Sequence, residues 1–186
     1  MTATVTPLMD GLFYSLRDFL TSHVAVTSCR QAQQNRTAMA TGNFIVMTPL
    51  GVDGLSTNAV SYQFEPDSDI STETHRRTAV WRCQLDFYGD SAQEFANIIS
   101  TIYRTDYTCE WFRRSSAERN LPLITPVFAT DTKQMTMING EAQWENRWTC
   151  DVHSQIPAAV VVPQQFMTNA SVSANSVDAN FPPENV

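Results

Sequence analysis

Three histidines, His23, His75 and His153, are the side chains best suited to proton transfer near neutral pH. None stands at a spacing that nucleophilic catalysis uses, where a hydroxyl or thiol needs a base within hydrogen-bond reach. His75 precedes a strand and His153 falls on the polar parity of one, so solvated or hydrogen-bonded imidazole accounts for both. Asp86, Asp90, Glu141 and Glu145 are the carboxylates that could divide acid and base roles. Asp90 is more simply a helix cap, and Glu145 shares a strand face with Arg147, where charges pair across a sheet. No phosphate loop, dinucleotide fingerprint or zinc-protease motif is written in the chain, and six glycines leave little material for a phosphate cradle. Catalytic, cofactor-binding and metal-ligating residues are therefore expected to be none, and the chain is expected not to be an enzyme.

The four cysteines, Cys29, Cys83, Cys109 and Cys150, have no close pairing. They read as small core residues rather than as a zinc or redox motif. Trp144 and Trp148 could floor a ligand pocket, but they sit with Ala142, Cys150, Val152 and Ile156 on the parity of a long strand expected to be buried. Arg76-Arg77 and Trp111-Phe112-Arg113-Arg114 are the basic clusters, and the second interleaves aromatics as a single-strand binder would. Twelve Lys and Arg against nineteen Asp and Glu, a net charge of −7, disfavour a grip on nucleic acid by phosphate neutralisation. Only 17% of residues are charged, so much of the surface is Ser, Thr, Asn and Gln, which cost less to bury against a partner than ions do. No run approaches the ~20 apolar residues needed to span a bilayer, and the first residues lack the pattern of a secretory signal. No membrane association is expected.

Elements able to position these residues follow from periodicity. Thr6-Pro7 reads as an N-cap and first-turn proline, with Leu8, Leu12, Leu16, Phe19 and Leu20 at helical spacing over about residues 7–22. Phe44–Met47 reads as a short strand stopped by Thr48-Pro49, Gly51–Gly54 as a turn, Ala59–Phe64 as a strand and 65–74 as a loop. Thr78–Tyr88 is one long strand, with Trp81, Cys83, Leu85 and Phe87 inward and Arg82, Gln84 and Asp86 outward. Ser91-Ala-Gln-Glu94 matches a capping box, and Ala92, Phe95, Ala96, Ile99, Ile102 and Tyr103 form one apolar stripe. Asn139-Gly140 is a hairpin turn joining Met135–Ile138 to a strand of about fifteen residues. The sum is an α+β fold: a mostly antiparallel, mixed β-sheet with helices packed on one face. Residues 1–165 are expected to form a single domain and 166–186 an extended polar C-terminal arm, disordered alone and able to order on a neighbour.

Two segments carry a resemblance. Trp81-Arg-Cys-Gln-Leu-Asp-Phe-Tyr-Gly-Asp90, running into Ala92, resembles the hydrophobic-Gln-hydrophobic-Asp-Phe-Tyr-Gly segment of the neck or tail terminator proteins of tailed bacteriophages. Ile138-Asn-Gly-Glu-Ala-Gln-Trp-Glu-Asn-Arg-Trp148 is similar to that family's second segment, with Trp144 where Tyr is usual. The likeness covers roughly 75–165; the stretch 105–120 aligns with nothing. It implies a structural virion protein, a homo-oligomer closing into a hexameric ring at the head-proximal end of the tail. Such a ring stops polymerisation of the tail tube protein and joins the tail to the connector or neck proteins. Double-stranded DNA passes through its lumen during ejection without specific binding, and assembly takes place in the host cytoplasm. Alternatives are a head-completion adaptor of the connector, a small ligand-binding or enzymatic domain, and a single-strand binder. By strand parity, Arg82, Glu145 and Arg147 are expected to contact neighbouring subunits or partners.

Overall fold

The computed structural model describes residues 2–34, 38–64, 70–138, 140, 142–165 and 171–173. Two strands dominate it. β5 (Ile70–Tyr88) and β8 (Trp144–Gln165) run antiparallel in one unbroken register from Ile70↔Gln165 to Tyr88↔Arg147. At about 3.3 Å per residue this ribbon is roughly 60 Å long. The other strands line its two sides in broken ranks. Along β5 lie β3 (Phe44–Gly54) and then β4 (Ala59–Gln63), with β2 (Ser28–Gln31) parallel to β3 outside it. Along β8 lie β7 (Lys133–Ile138), β6 (Thr125–Ala129) and β1 (Thr4–Thr6). The sheet is thus mixed and mostly antiparallel, as expected.

Strands run further than punctuation in the sequence suggests. β3 passes straight through Pro49 and Gly51–Gly54, which were expected to stop and turn it, because a register shift between Pro49 and Gly51 absorbs the proline. β5 begins at Ile70, not Thr78, so residues 70–74 are strand; the rest of that expected loop, 65–69, lies outside the described residues. β8 has 22 residues and continues past Pro157, which falls in the gap between the stretches paired with β6 and β1. Thr6 does not cap the first helix. A residue before proline is pushed into extended backbone, so Thr6 pairs with Ala159 in β1, and α1 (Met9–His23) starts from Leu8.

Three helices cover one face of the sheet. α1 and α2 (Ala92–Ile102) were expected; α3 (Asp106–Arg119) occupies the stretch that aligned with nothing. Asn120, at φ 52°, ends it in left-handed backbone. Trp111 and Phe112 of α3 lie 5.3 and 5.0 Å from the Phe19 ring of α1, Arg113 pairs with Glu110, and Arg119 pairs with Asp18. Those aromatics are spent on helix packing, which removes the stacking platform that their spacing suggested. Beneath the helices, odd residues of β5 from Ala79 to Phe87 and even residues of β8 from Cys150 to Ile156 are buried. Tyr103 meets Ser154 at 2.6 Å inside this core. Cys29, Cys83 and Cys150 are buried free thiols, and burial pushes Cys29 and Cys150 up to about 12.

Core burial stops at Ala79 and Ile156. Beyond them β5 and β8 continue with β4 and β1 beside them, and apart from Ser71 their residues are half-buried or exposed.

At the opposite end β5 turns into α2 through Gly89, at φ 102°. Ser91 holds the N-cap position, but its hydroxyl makes no cap; the Ser91 N–H donates instead to Oδ1 of Asn43, at 3.1 Å. A Cβ on Gly89 would stand 2.4 Å from that oxygen and 2.9 Å from Asn43 Cα. Gly89→Ala is expected to lower stability by more than about 1 kcal/mol, read as a drop in the urea midpoint with unchanged slope.

Candidate functional site

The two segments singled out in the sequence lie side by side. The β5–β8 register sets Tyr88 opposite Arg147 and Asp86 opposite Thr149. Asp86 is buried on the face away from the helices, and Arg147 reaches its Oδ1 with Nε at 3.1 Å and Nη2 at 2.9 Å. Gln84 donates from Nε2 to both Asp86 oxygens, at 3.0 and 3.2 Å. The Arg147 guanidinium stands 5.8 Å over the Tyr88 ring, which stacks on Phe44 at 4.5 Å. Past the strand end, Gly89 and Asn146 exchange two hydrogen bonds: the Gly89 N–H donates to the Asn146 carbonyl at 3.3 Å, and Asn146 Nδ2 donates to the Gly89 carbonyl at 3.2 Å. Asp86, Tyr88 and Gly89 of the one segment thus meet the Asn-Arg pair of the other, and Gln84 braces Asp86 from behind.

Arg82, Glu145 and Arg147 share the helix-free face, but they do not form one cluster. Arg147 is one quarter exposed, its charge committed to Asp86. Glu145 is half-buried two residues away. Arg82 lies six positions along β5 from Tyr88, about 20 Å, with its Nε 2.8 Å from Asp53 Oδ2. That contact is one of charge alone, since the buried Nε makes no aligned hydrogen bond. Beside Arg82 in the register, the His153 ring stacks on Phe128 at 4.1 Å. Burial first, then the Arg82 guanidinium, hold His153 below its ordinary value, against the opposing pull of Asp151 and Asp53.

Trp144 corrects the parity argument. It was expected to be core and is 72% exposed. β5 ends opposite Arg147, so Trp144 pairs with Ile138 of β7 alone, beyond both the inner strand and the helices. Trp148, four residues further into the sheet, packs against the core and donates its indole N–H to Asn146 Oδ1 at 3.2 Å. The expected turn residue Asn139, and Glu141, lie outside the described residues.

A second surface was not foreseen. At the end where the core stops, Val5, Leu8, Met9, Val52, Ile156 and Val160 line an open apolar groove of about 460 Å³, and Val60, Tyr62 and Phe64 are exposed nearby. A strand at Thr4–Thr6 was the missing signal, hidden because three residues are too few for a period. Among the described residues no three His, Cys, Asp or Glu side chains gather as a metal site, and no helix is long and apolar enough to cross a membrane.

A family model described as phage neck terminator protein matches residues 10–178 of the chain. No curated protein matches it.

Two outcomes follow from the geometry. Arg147→Met strands the Asp86 carboxylate in a buried position and is expected to cost about 3 kcal/mol; Asp86→Asn in the same chain should return part of that loss, measured as a double-mutant cycle by urea unfolding. Because the folded chain holds a proton on His153 more weakly than the unfolded chain, stability is expected to fall as pH drops through the ordinary histidine range near 6.5. His153→Gln should flatten that slope in thermal midpoints taken at several pH values.

Proposed function

The chain belongs to the phage neck terminator proteins, structural proteins of the virion tail and neck that associate with other head and tail proteins, and from that premise we propose that it closes into a hexameric ring at the head-proximal end of the tail. The ring ends polymerisation of the tail tube and presents the finished tail to the connector, and DNA passes through its lumen during ejection. It is assembled in the host cytoplasm and makes or breaks no covalent bond.

The observation that carries this reading is the position of the two motif segments. They are spent on each other, inside one subunit, holding a ribbon of roughly 60 Å in a single register. What such a chain offers a partner is a rigid outline. Low charge supports the reading, because a surface of uncharged polar groups is readily dehydrated at an interface. A net charge of −7 supports a lumen through which DNA slides without adhering.

Within this proposal residues 1–165 are the ring-forming body and 166–186 an arm that reaches a neighbour. Arg82, Glu145 and Arg147 are partner contacts of the helix-free face, Arg147 through the quarter of its surface that Asp86 leaves open. Arg82→Ala and Glu145→Ala are expected to leave a folded subunit that holds its neighbours or the tail tube less tightly.

Virions lacking the chain are expected to show tails of uncontrolled length, or finished tails unable to join heads, in negative-stain micrographs. Added back, the purified chain should bind tube ends. Normal tail length and normal joining without the chain would overturn the proposal; capture by the portal and not by tubes would favour a head-completion adaptor instead.

A further inference from the structure

Three rungs cross the end of the sheet where the core stops, each four strands wide: Ala59–Arg76–Ala159–Thr6, Val60–His75–Val160–Val5 and Ser61–Thr74–Val161–Thr4. β4 and β1 bound this section, and among the described residues no strand pairs with the outer edge of either. A bare edge aims a row of backbone N–H and C=O groups sideways, and proteins that stay apart blunt such edges with lysine, proline or a bulge. Neither strand contains one, and only the shortness of β1, three residues before Pro7, blunts its edge. Ala59–Gln63 reads AVSYQ and Thr4–Thr6 reads TVT, both fully exposed, and both pair inward without a register shift.

The two edges also suit each other. Chain direction alternates at every step from β4 to β5, β8 and β1, so β4 of one copy set beside β1 of another is antiparallel again. Val5 and Val60 stand on the face that the helices occupy, and Thr4 and Ser61 on the opposite one. An even offset keeps the faces matched: Val5 then lies beside Val60 without a stagger and beside Tyr62 with a stagger of two, the latter an aromatic–β-branched pair of the favourable kind.

We propose that head-to-tail pairing of β1 in one copy with β4 in the next closes the ring, so that the sheet runs unbroken around it, a step that rests on the ring reading above. Two unlike edges per copy are what a heterologous, closing contact requires. The first turn of α1, with Leu8 and Met9, adds bulk on the helix face at this level. The belt therefore bends away from that bulk and turns its helix-free face inward. In this section the inward face presents Thr4, Thr6, Ser61, Thr72 and Thr74 among Ala59, Ala159, Val161 and Pro163, with Arg76 as the one cation of these rungs. Hydroxyls give a passing phosphate backbone little to hold by charge.

The test is disulfide trapping in the full chain, whose own cysteines are buried or half-buried. Because a closed sheet takes a stagger, Val5→Cys is combined in one chain with Val60→Cys and, separately, with Tyr62→Cys. At least one pair is expected to give, on mild oxidation, a ladder of covalent multimers ending at the ring's copy number. Val5→Cys with Ser61→Cys, on opposite faces, should stay unlinked. Full-sized rings in which neither same-face pair links, or in which the opposite-face pair links as well, would overturn the edge pairing and leave the ring reading standing. A chain that forms no ring in solution or on tail tubes would overturn both. Independently, Val60→Lys with Tyr62→Lys, both at exposed positions, is expected to convert rings to folded monomers, seen as a drop in particle mass with unchanged circular dichroism. Rings of undiminished mass would count against the pairing.

Discussion

The register of β5 against β8 is the constraint on which the remaining architecture depends. A slip of one residue between these strands would exchange their two faces, moving Trp81, Cys83, Leu85 and Phe87 out of the core and Asp86 into it. Burial forbids that slip, but a slip of two residues keeps both faces and is not excluded by burial alone. Specificity comes from one end, where Asp86, Gln84 and Arg147 interlock and Gly89 closes on Asn146. A buried ion pair returns little net stability after its desolvation cost, but a misplaced one is expensive. Here the pair works against wrong registers more than it adds to the right one.

From that fixed ribbon the helical layer follows. Odd positions of β5 and even positions of β8 meet α1, α2 and α3, and Phe19, Tyr103, Trp111 and Phe112 fill the space between the helices. The opposite face keeps polar residues in mutual contact, and it holds Arg82, Glu145 and Arg147. Only the first half of the ribbon is covered in this way. The second half continues the strand pairing of the first without its alternating apolar face, and of the helices only the start of α1 reaches it, so its apolar groove stays open.

How much of this was legible in the sequence depends on the range over which each signal acts. The inward parity of Trp81 to Phe87, the stripe of α2 and the α+β class could be read locally, since periods of 2 and 3.6 residues report directly on burial. Strand ends could not. Pro49 and Pro157 look like stops until a bulge and a gap in the neighbouring rank take up their missing donors. Trp144 read as core because parity says which face a residue is on, but not whether anything covers that face. Arg147 was legible as important and illegible in role, for its partner Asp86 lies 61 residues away in the chain. The helix α3 was missed because its polar residues outnumber its apolar ones and its burial comes from α1, a tertiary context that no window on 106–119 contains.

The ranks on either side of the ribbon are interrupted, while the two central strands are not. A load applied along the long axis is shared in shear by every hydrogen bond between β5 and β8 at once, so those bonds must fail together. A load applied sideways to a flank peels its bonds one after another, starting with the five-residue β4 and the three-residue β1. The subunit is therefore anisotropic in its mechanical strength, stiff along its length and compliant at its margins.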